Sequence, residues 1–204
     1  MKLHGYWRSS AAYRVRLALN LKGLQAESAT HALPRGEQRS EAYLALNPQG
    51  LVPALETEDG VFIQSTAIIE YLDERWPQPS LLPSSPAARA VVRGMAGIIS
   101  ADIHPINNLR ILKYLKNELG QAQAEIDQWA RHWIIEGFTA LEAMANPAKP
   151  FLSGDAPGLA DVFLVPQMAN ARRVSTPLDA FPTLVAIDAR ATALEPFART
   201  HPDA

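Results

Sequence analysis

The stretch "YWRSSAAYRVRLALNLKG", residues 6–23, sets a guanidinium and two hydroxyls (Arg8, Ser9 and Ser10) at the front of an amphipathic run. A helix front carries partial positive charge and unsatisfied amides. Ser9 there either caps the helix or joins those amides in stabilising an anion. "NPQGLVPALE" places Val52-Pro53 between a loop and a strand. One reading is an ordinary proline at an edge strand. The other is a cis bond that leaves the amide and carbonyl of Val52 open to an extended peptide. "IQSTAIIEYL" sets Gln64 and Ser65 before a second apolar helix, either as caps or as an anion site suited to a carboxylate. Together the stretches offer partners for a thiolate, a peptide backbone and a carboxylate.

The elements that must position these residues follow from patterning. Residues 1–7 read as a strand, 10–22 as a helix with Ala12, Val15, Ala18 and Leu19 on one face and Gly23 as its stop, and 24–33 as a second extended segment. A short helix over 37–46 precedes two short strands around "TEDG" and the helix "STAIIEYLDERW". That order implies a mixed sheet with helices packed on it. "WPQPSLLPSSP", with four prolines and three serines, reads as a linker. Beyond it, helical patterns over 86–116, 121–145, 158–171 and near 183–195 imply an all-helical bundle. Trp76, Trp129 and Trp133 read as core or linker packing.

Composition narrows the chemistry. The 204 residues are 48% hydrophobic, carry a formal net charge of −2 and contain no cysteine. A nucleic-acid footprint is not expected, nor is a thiolate metal site or a protein thiol nucleophile, and the scattered histidines lack metal-ligand spacing. With no long apolar run and no secretory h-region, a cytoplasmic protein without membrane contact is expected. Any thiol must be brought in, and glutathione presents the three features named above.

The chain resembles a glutathione transferase of the zeta class over essentially its whole length. "RSSAAYRVRLAL", "DIHPINNLRIL" and "LADVFLVPQMANARR" carry the class resemblance, and "ALNPQGLVPAL" and "IQSTAIIEYL" fit glutathione transferases more broadly. The resemblance implies a glutathione transferase fold: an α/β thioredoxin-like N-terminal domain (1–78), a linker (79–86) and an all-α C-terminal domain (87–204). It implies a homodimer that uses glutathione as cofactor. Ser9 matches the thiol-activating serine, with Ser10 beside it and Arg8 adding charge. Gln38, the backbone of Val52 with a cis Pro53, Gln64 and Ser65 match glutathione contacts. His104, Asn108 and Arg110 match the helical domain's side of the site. His104, before Pro105, otherwise reads as a kink or core histidine. Arg8, Arg110 and Arg173 become anchors for a dicarboxylate, whereas surface charge is the plain reading of Arg110 and Arg173. Arg172 reads as the solvated member of its pair. The pattern departs from the class at Ala11, where cysteine is common, and at Gly158, where serine or threonine is.

The activity implied is glutathione-dependent cis–trans isomerisation of a maleyl-type dicarboxylic acid, maleylacetoacetate to fumarylacetoacetate, or of maleylpyruvate. Holding a thiol of ordinary pKa about 8.5 as thiolate at pH 7 asks about 2.7 kcal/mol of the site. The thiolate adds to the cis double bond, the resulting single bond rotates, and loss of thiolate regenerates glutathione. Transferase or dehalogenase activity on small α-halo acids is a further enzymatic reading. A non-catalytic glutathione-binding scaffold is the reading from another class, and it has no need of the three arginines.

Overall fold

In the computed structural model of the chain, residues 1–200 are described; residues 201–204, the end of the expected helical domain, lie outside the described residues. The chain forms two compact units, Met1–Leu81 together with the chain from Ala193 onward, and Leu82–Thr192.

The first unit opens with β1 (Lys2–Gly5), α1 (Ser10–Leu21) and β2 (Glu27–Thr30). Two 3₁₀ turns, Leu33–Arg35 and Glu37–Arg39, lead to α2 (Glu41–Leu46), the hairpin β3 (Ala54–Thr57) and β4 (Gly60–Ile63), and α3 (Ser65–Arg75). The sheet order is β2-β1-β3-β4, with β1 and β2 parallel and the other pairs antiparallel. The parallel pair requires a crossover, which α1 supplies. On α1, the expected face of Ala12, Val15, Ala18 and Leu19 is buried. The helix ends as its sequence dictates: Gly23 takes φ 65°, and Leu24 N–H donates back to Leu19 O at 2.8 Å. α1 packs on α3, whose Ile68, Ile69 and Leu72 are fully buried.

A buried ion pair fixes the end of this unit. Lys22 Nζ, with no exposed side-chain surface, lies 2.8 Å from Asp73 Oδ1 and donates to Pro79 O at 2.7 Å. Asp73 Oδ1 also accepts from Leu81 N. The proline-rich stretch is therefore tied to α1 and α3 as far as Leu81, and is not a free linker there.

The second unit contains α4 (Pro86–Gly97), a π-helical turn (Ile98–Ile103), α5 (His104–Ile106), α6 (Leu109–Asn117), α7 (Gln123–Met144), α8 (Leu159–Arg173) and α9 (Pro182–Thr192). α8 is its centre, buried continuously from Leu159 to Met168 and packed on α4, α9 and the π turn. Gly158 has no side chain to cap α8. Ser153 takes that part, its Oγ accepting from Ala160 N at 3.0 Å. Asp161 accepts from the amides of Leu152, Ser153 and Gly158 at 2.7, 3.1 and 3.0 Å. Burial pushes the Asp161 carboxyl up, against the pull of those hydrogen bonds. The departure from serine or threonine at 158 is thus made good from a neighbouring turn.

A last helix, α10 (Glu195–Ala198), is not apparent in the sequence pattern and packs on α1 in the first unit. Asn20 Nδ2 donates to Thr200 Oγ1 at 2.6 Å, and Phe197 is fully buried. The division by contacts thus differs from the expected 87–204 domain by returning the chain after Thr192 to the first unit. Among the described residues no helix is long and apolar enough to cross a membrane.

Candidate active site

Strand register brings the candidate residues of the first unit to one end of its sheet. Gly5 pairs with Thr30, His4 with Ala54, and Ala54 with Ile63. The chain therefore leaves β1 toward Ser9, leaves β2 toward Gln38, enters β3 from Val52 and leaves β4 toward Gln64, all at the same end.

Ser9 is the N-cap of α1. Its Oγ accepts from Ala12 N at 3.2 Å, which uses a lone pair and leaves the hydroxyl proton for another acceptor. The capping and anion-binding readings are compatible in one side chain. Ser10 is the first residue of α1 and is half-buried, and Arg8 is exposed with its guanidinium 5.4 Å from the Trp7 ring centre. Val52-Pro53 is cis, as the resemblance implied, where the residues alone had left an ordinary edge proline open. Gln38 lies in the second 3₁₀ turn, and its buried Oε1 has no hydrogen-bond partner. Gln64 holds a left-handed φ of 70° at the front of α3, with its Nε2 donating to Gln49 Oε1 at 2.7 Å. Side chains other than glycine rarely adopt that conformation, which concentrates at ligand sites. Ser65, next in the chain, is buried.

Sequence reasoning passed over Arg14. It is 1% exposed, and its Nη1 donates to Ser65 Oγ at 3.4 Å. Burial pulls its pKa down to about 9. The signal was present: Arg14 stands four residues before Ala18, on the apolar stripe of α1, where a solvated charge has no place. A second cluster centres on His4. His4 Nδ1 is 2.9 Å from His31 Nε2, and His4 Nε2 is 2.5 Å from Glu56 Oε1. Tyr43 packs its ring on His31. Burial, then the neighbouring His4, hold the His31 pKa below its ordinary value, while Glu37 opposes them. The His4 hydrogen bond lowers the Glu56 carboxyl.

In the second unit His104 follows the π turn and is half-buried. Asn108 caps α6, its Oδ1 accepting from Arg110 N at 3.2 Å, and Arg110 is exposed on the first turn. Arg173 ends α8 and is exposed. Arg172 is not the idle member of the pair. Its Nη2 lies 2.6 Å from Asp188 Oδ2, whose side chain is 3% exposed, so it serves a structural ion pair between α8 and α9.

Comparison with known proteins defines the family. The family model for the N-terminal domain of glutathione S-transferase matches residues 3–80. A maleylpyruvate isomerase from Ralstonia sp is 47% identical, over 100% of this chain and 98% of its own. A maleylacetoacetate isomerase from Pseudomonas aeruginosa is also 47% identical, over 99% of this chain and 96% of its own. A holo maleylpyruvate isomerase structure, a bacterial zeta-class glutathione S-transferase, superposes with TM-score 0.97 at 46% identity, covering 99% of this chain and 97% of the other. A Methylobacterium extorquens maleylacetoacetate isomerase structure with bound malonate and glutathione gives 0.95 at 37% identity, covering 99% and 96%. The chain belongs to the glutathione S-transferase family, in its zeta class.

Proposed function

We propose that the chain is a glutathione-dependent enzyme that converts the cis double bond of a maleyl-type dicarboxylic acid to trans, maleylacetoacetate to fumarylacetoacetate, in aromatic amino-acid catabolism. The observation that carries this reading is Ser9 at the front of α1, with its lone pair committed to the cap and its proton free to meet a sulfur anion. The orphaned Oε1 of Gln38 and the buried Ser65 fit a peptide ligand at the same end of the sheet. When bound, glutathione supplies a thiol whose reversible addition turns the double bond into one that can rotate.

The residues divide the remaining work. Ser9 and the α1 amides hold the sulfur ionised, with Ser10 and Arg8 beside them. Gln38, the backbone of Val52 and Pro53 seat the peptide portion. Gln64 and Ser65 take the γ-glutamyl carboxylate, with Arg14 placing buried positive charge behind Ser65. His104, Asn108 and Arg110 add contacts to glutathione, and Arg8, Arg110 and Arg173 hold the carboxylates of the substrate. Ala11 costs this chemistry nothing, because the only thiol needed is that of glutathione. A cytoplasmic homodimer is the assembly that this reading adopts.

Maleylpyruvate is the second reading, favoured by the equal identity to the maleylpyruvate isomerase relative and by the superposition of the holo structure. Measuring kcat/KM on both acids separates the two. We expect maleylacetoacetate to be preferred by about tenfold or more, a difference of about 1.4 kcal/mol in transition-state binding. A preference for maleylpyruvate would assign the enzyme to that substrate.

A further inference from the structure

We infer that helix α7 positions His104 by gripping the chain on both sides of it, through Gly137 before the histidine and Trp129 after it. This inference rests on the reading of His104 as a glutathione contact.

The local chain explains why a grip is needed. Pro105 has no N–H to donate, and in a regular α-helix its ring would meet the carbonyl four residues back. The Ile98–Ile103 segment widens to a π turn, and His104 N–H donates to Ile99 O. A π turn is an uncommon, locally strained solution that occurs often at functional sites. Something must hold its end in place.

On the upstream side, α7 offers Gly137. A Cβ built there would fall within the van der Waals radii of Ile103 Cγ1 and Cδ1. Ile103 is 1% exposed and cannot swing away, so only glycine allows α7 this close to the residue that precedes His104. On the downstream side, Trp129 Nε1 donates to Ile106 O at 3.0 Å, and Asn107 Nδ2 donates to Ala130 O at 3.4 Å. Trp129 is therefore more than packing: its indole N–H fixes the carbonyl two residues past His104. One rigid helix thus sets both ends of the segment that carries the imidazole.

The test is glutathione affinity by calorimetry on Gly137→Ala, Trp129→Phe, His104→Ala and the two doubles with His104→Ala, with melting curves for each protein. Trp129→Phe keeps an aromatic ring beside Trp133 and loses the donor, so it carries the test if Gly137→Ala does not fold. Each single variant should weaken glutathione binding by up to about tenfold, the worth of one hydrogen bond. The doubles should bind no worse than His104→Ala alone, because the grip acts through that imidazole. A glutathione-induced shift of the His104 ring signals in the NMR spectrum should fade in Gly137→Ala and Trp129→Phe. Losses that add in the doubles, or folded variants that bind like the wild type, would overturn the inference. A silent His104→Ala would overturn it too, along with the assignment of His104. Isomerisation by the wild-type protein reports on the proposed function independently of these outcomes.

Discussion

Ser9 and Arg173 are the residues on which the proposed chemistry turns at the finest scale. With its lone pair already engaged by Ala12 N, Ser9 can contribute a proton to a thiolate without giving up its cap. Ser9→Ala should therefore raise the thiol pKa of bound glutathione toward the free value of about 8.5 and slow turnover, with a smaller effect on affinity. Ultraviolet titration of the thiolate in the complex measures this, and an unchanged pKa would move attention to Ser10. Arg173→Met should lower kcat/KM on the dicarboxylate roughly 10- to 150-fold, the loss of a charge-assisted contact, and change glutathione transfer to an uncharged halide far less. The neighbouring Arg172 is no silent control. Arg172→Met takes the guanidinium from the buried Asp188 carboxylate, and should cost on the order of 1 kcal/mol, moderated because Arg172 is half-exposed. Its signature is a lower melting temperature with equal losses on charged and uncharged substrates.

Elements are where the sequence was most legible, and where it failed for physical reasons. The βαβ opening, the hairpin and the amphipathic helices follow from local periodicity and turn chemistry, and the structure has them. What escaped is not carried by the period of a single element. The burial of Arg14 is set by its packing environment on α1, the hydroxyl that serves α8 comes from Ser153 in the preceding turn, and α10 is too short to have a period. The π turn precedes Pro105, and α7 comes close to its last residue, Ile103, at Gly137; no single window of sequence contains both. The site residues were proposed by resemblance more than by spacing; spacing alone favoured a structural cap for Ser9 and an ordinary edge-strand proline at Pro53, and left Ser65 as a cap or an anion site. Two predictions belong to this scale. Lys22 and Asp73 join α1 to α3 in the buried interior, so Asp73→Ala should cost about 3–5 kcal/mol in urea unfolding, and an apolar pair at both positions should recover most of it. His31 and Glu56 make stability depend on pH. The His31 pKa is lower folded than unfolded, so its contribution is present above about 6.5 and is lost as pH falls through the lowered value. Glu56 acts the same way from about 4.5 downward. Unfolding free energies should drop between pH 7.5 and 5.5, and His31→Gln should flatten that drop; an unchanged slope would remove His31 as its cause.

For the molecule as a whole, the first unit carries a hydroxyl at the front of α1, a cis Val52-Pro53 at the entry to β3 and the front of α3, and the second carries Arg110 at the start of α6 and Arg173 at the end of α8, both exposed. The central claim is that glutathione acts as a cofactor and is returned at each turnover. It is tested most directly by giving the purified protein maleylacetoacetate with glutathione far below the substrate concentration, and following both fumarylacetoacetate and free thiol. The account predicts complete conversion of the acid, no reaction without glutathione, and a thiol concentration that ends where it began. Conversion that stops when the glutathione is spent, or that proceeds equally without it, would contradict the account.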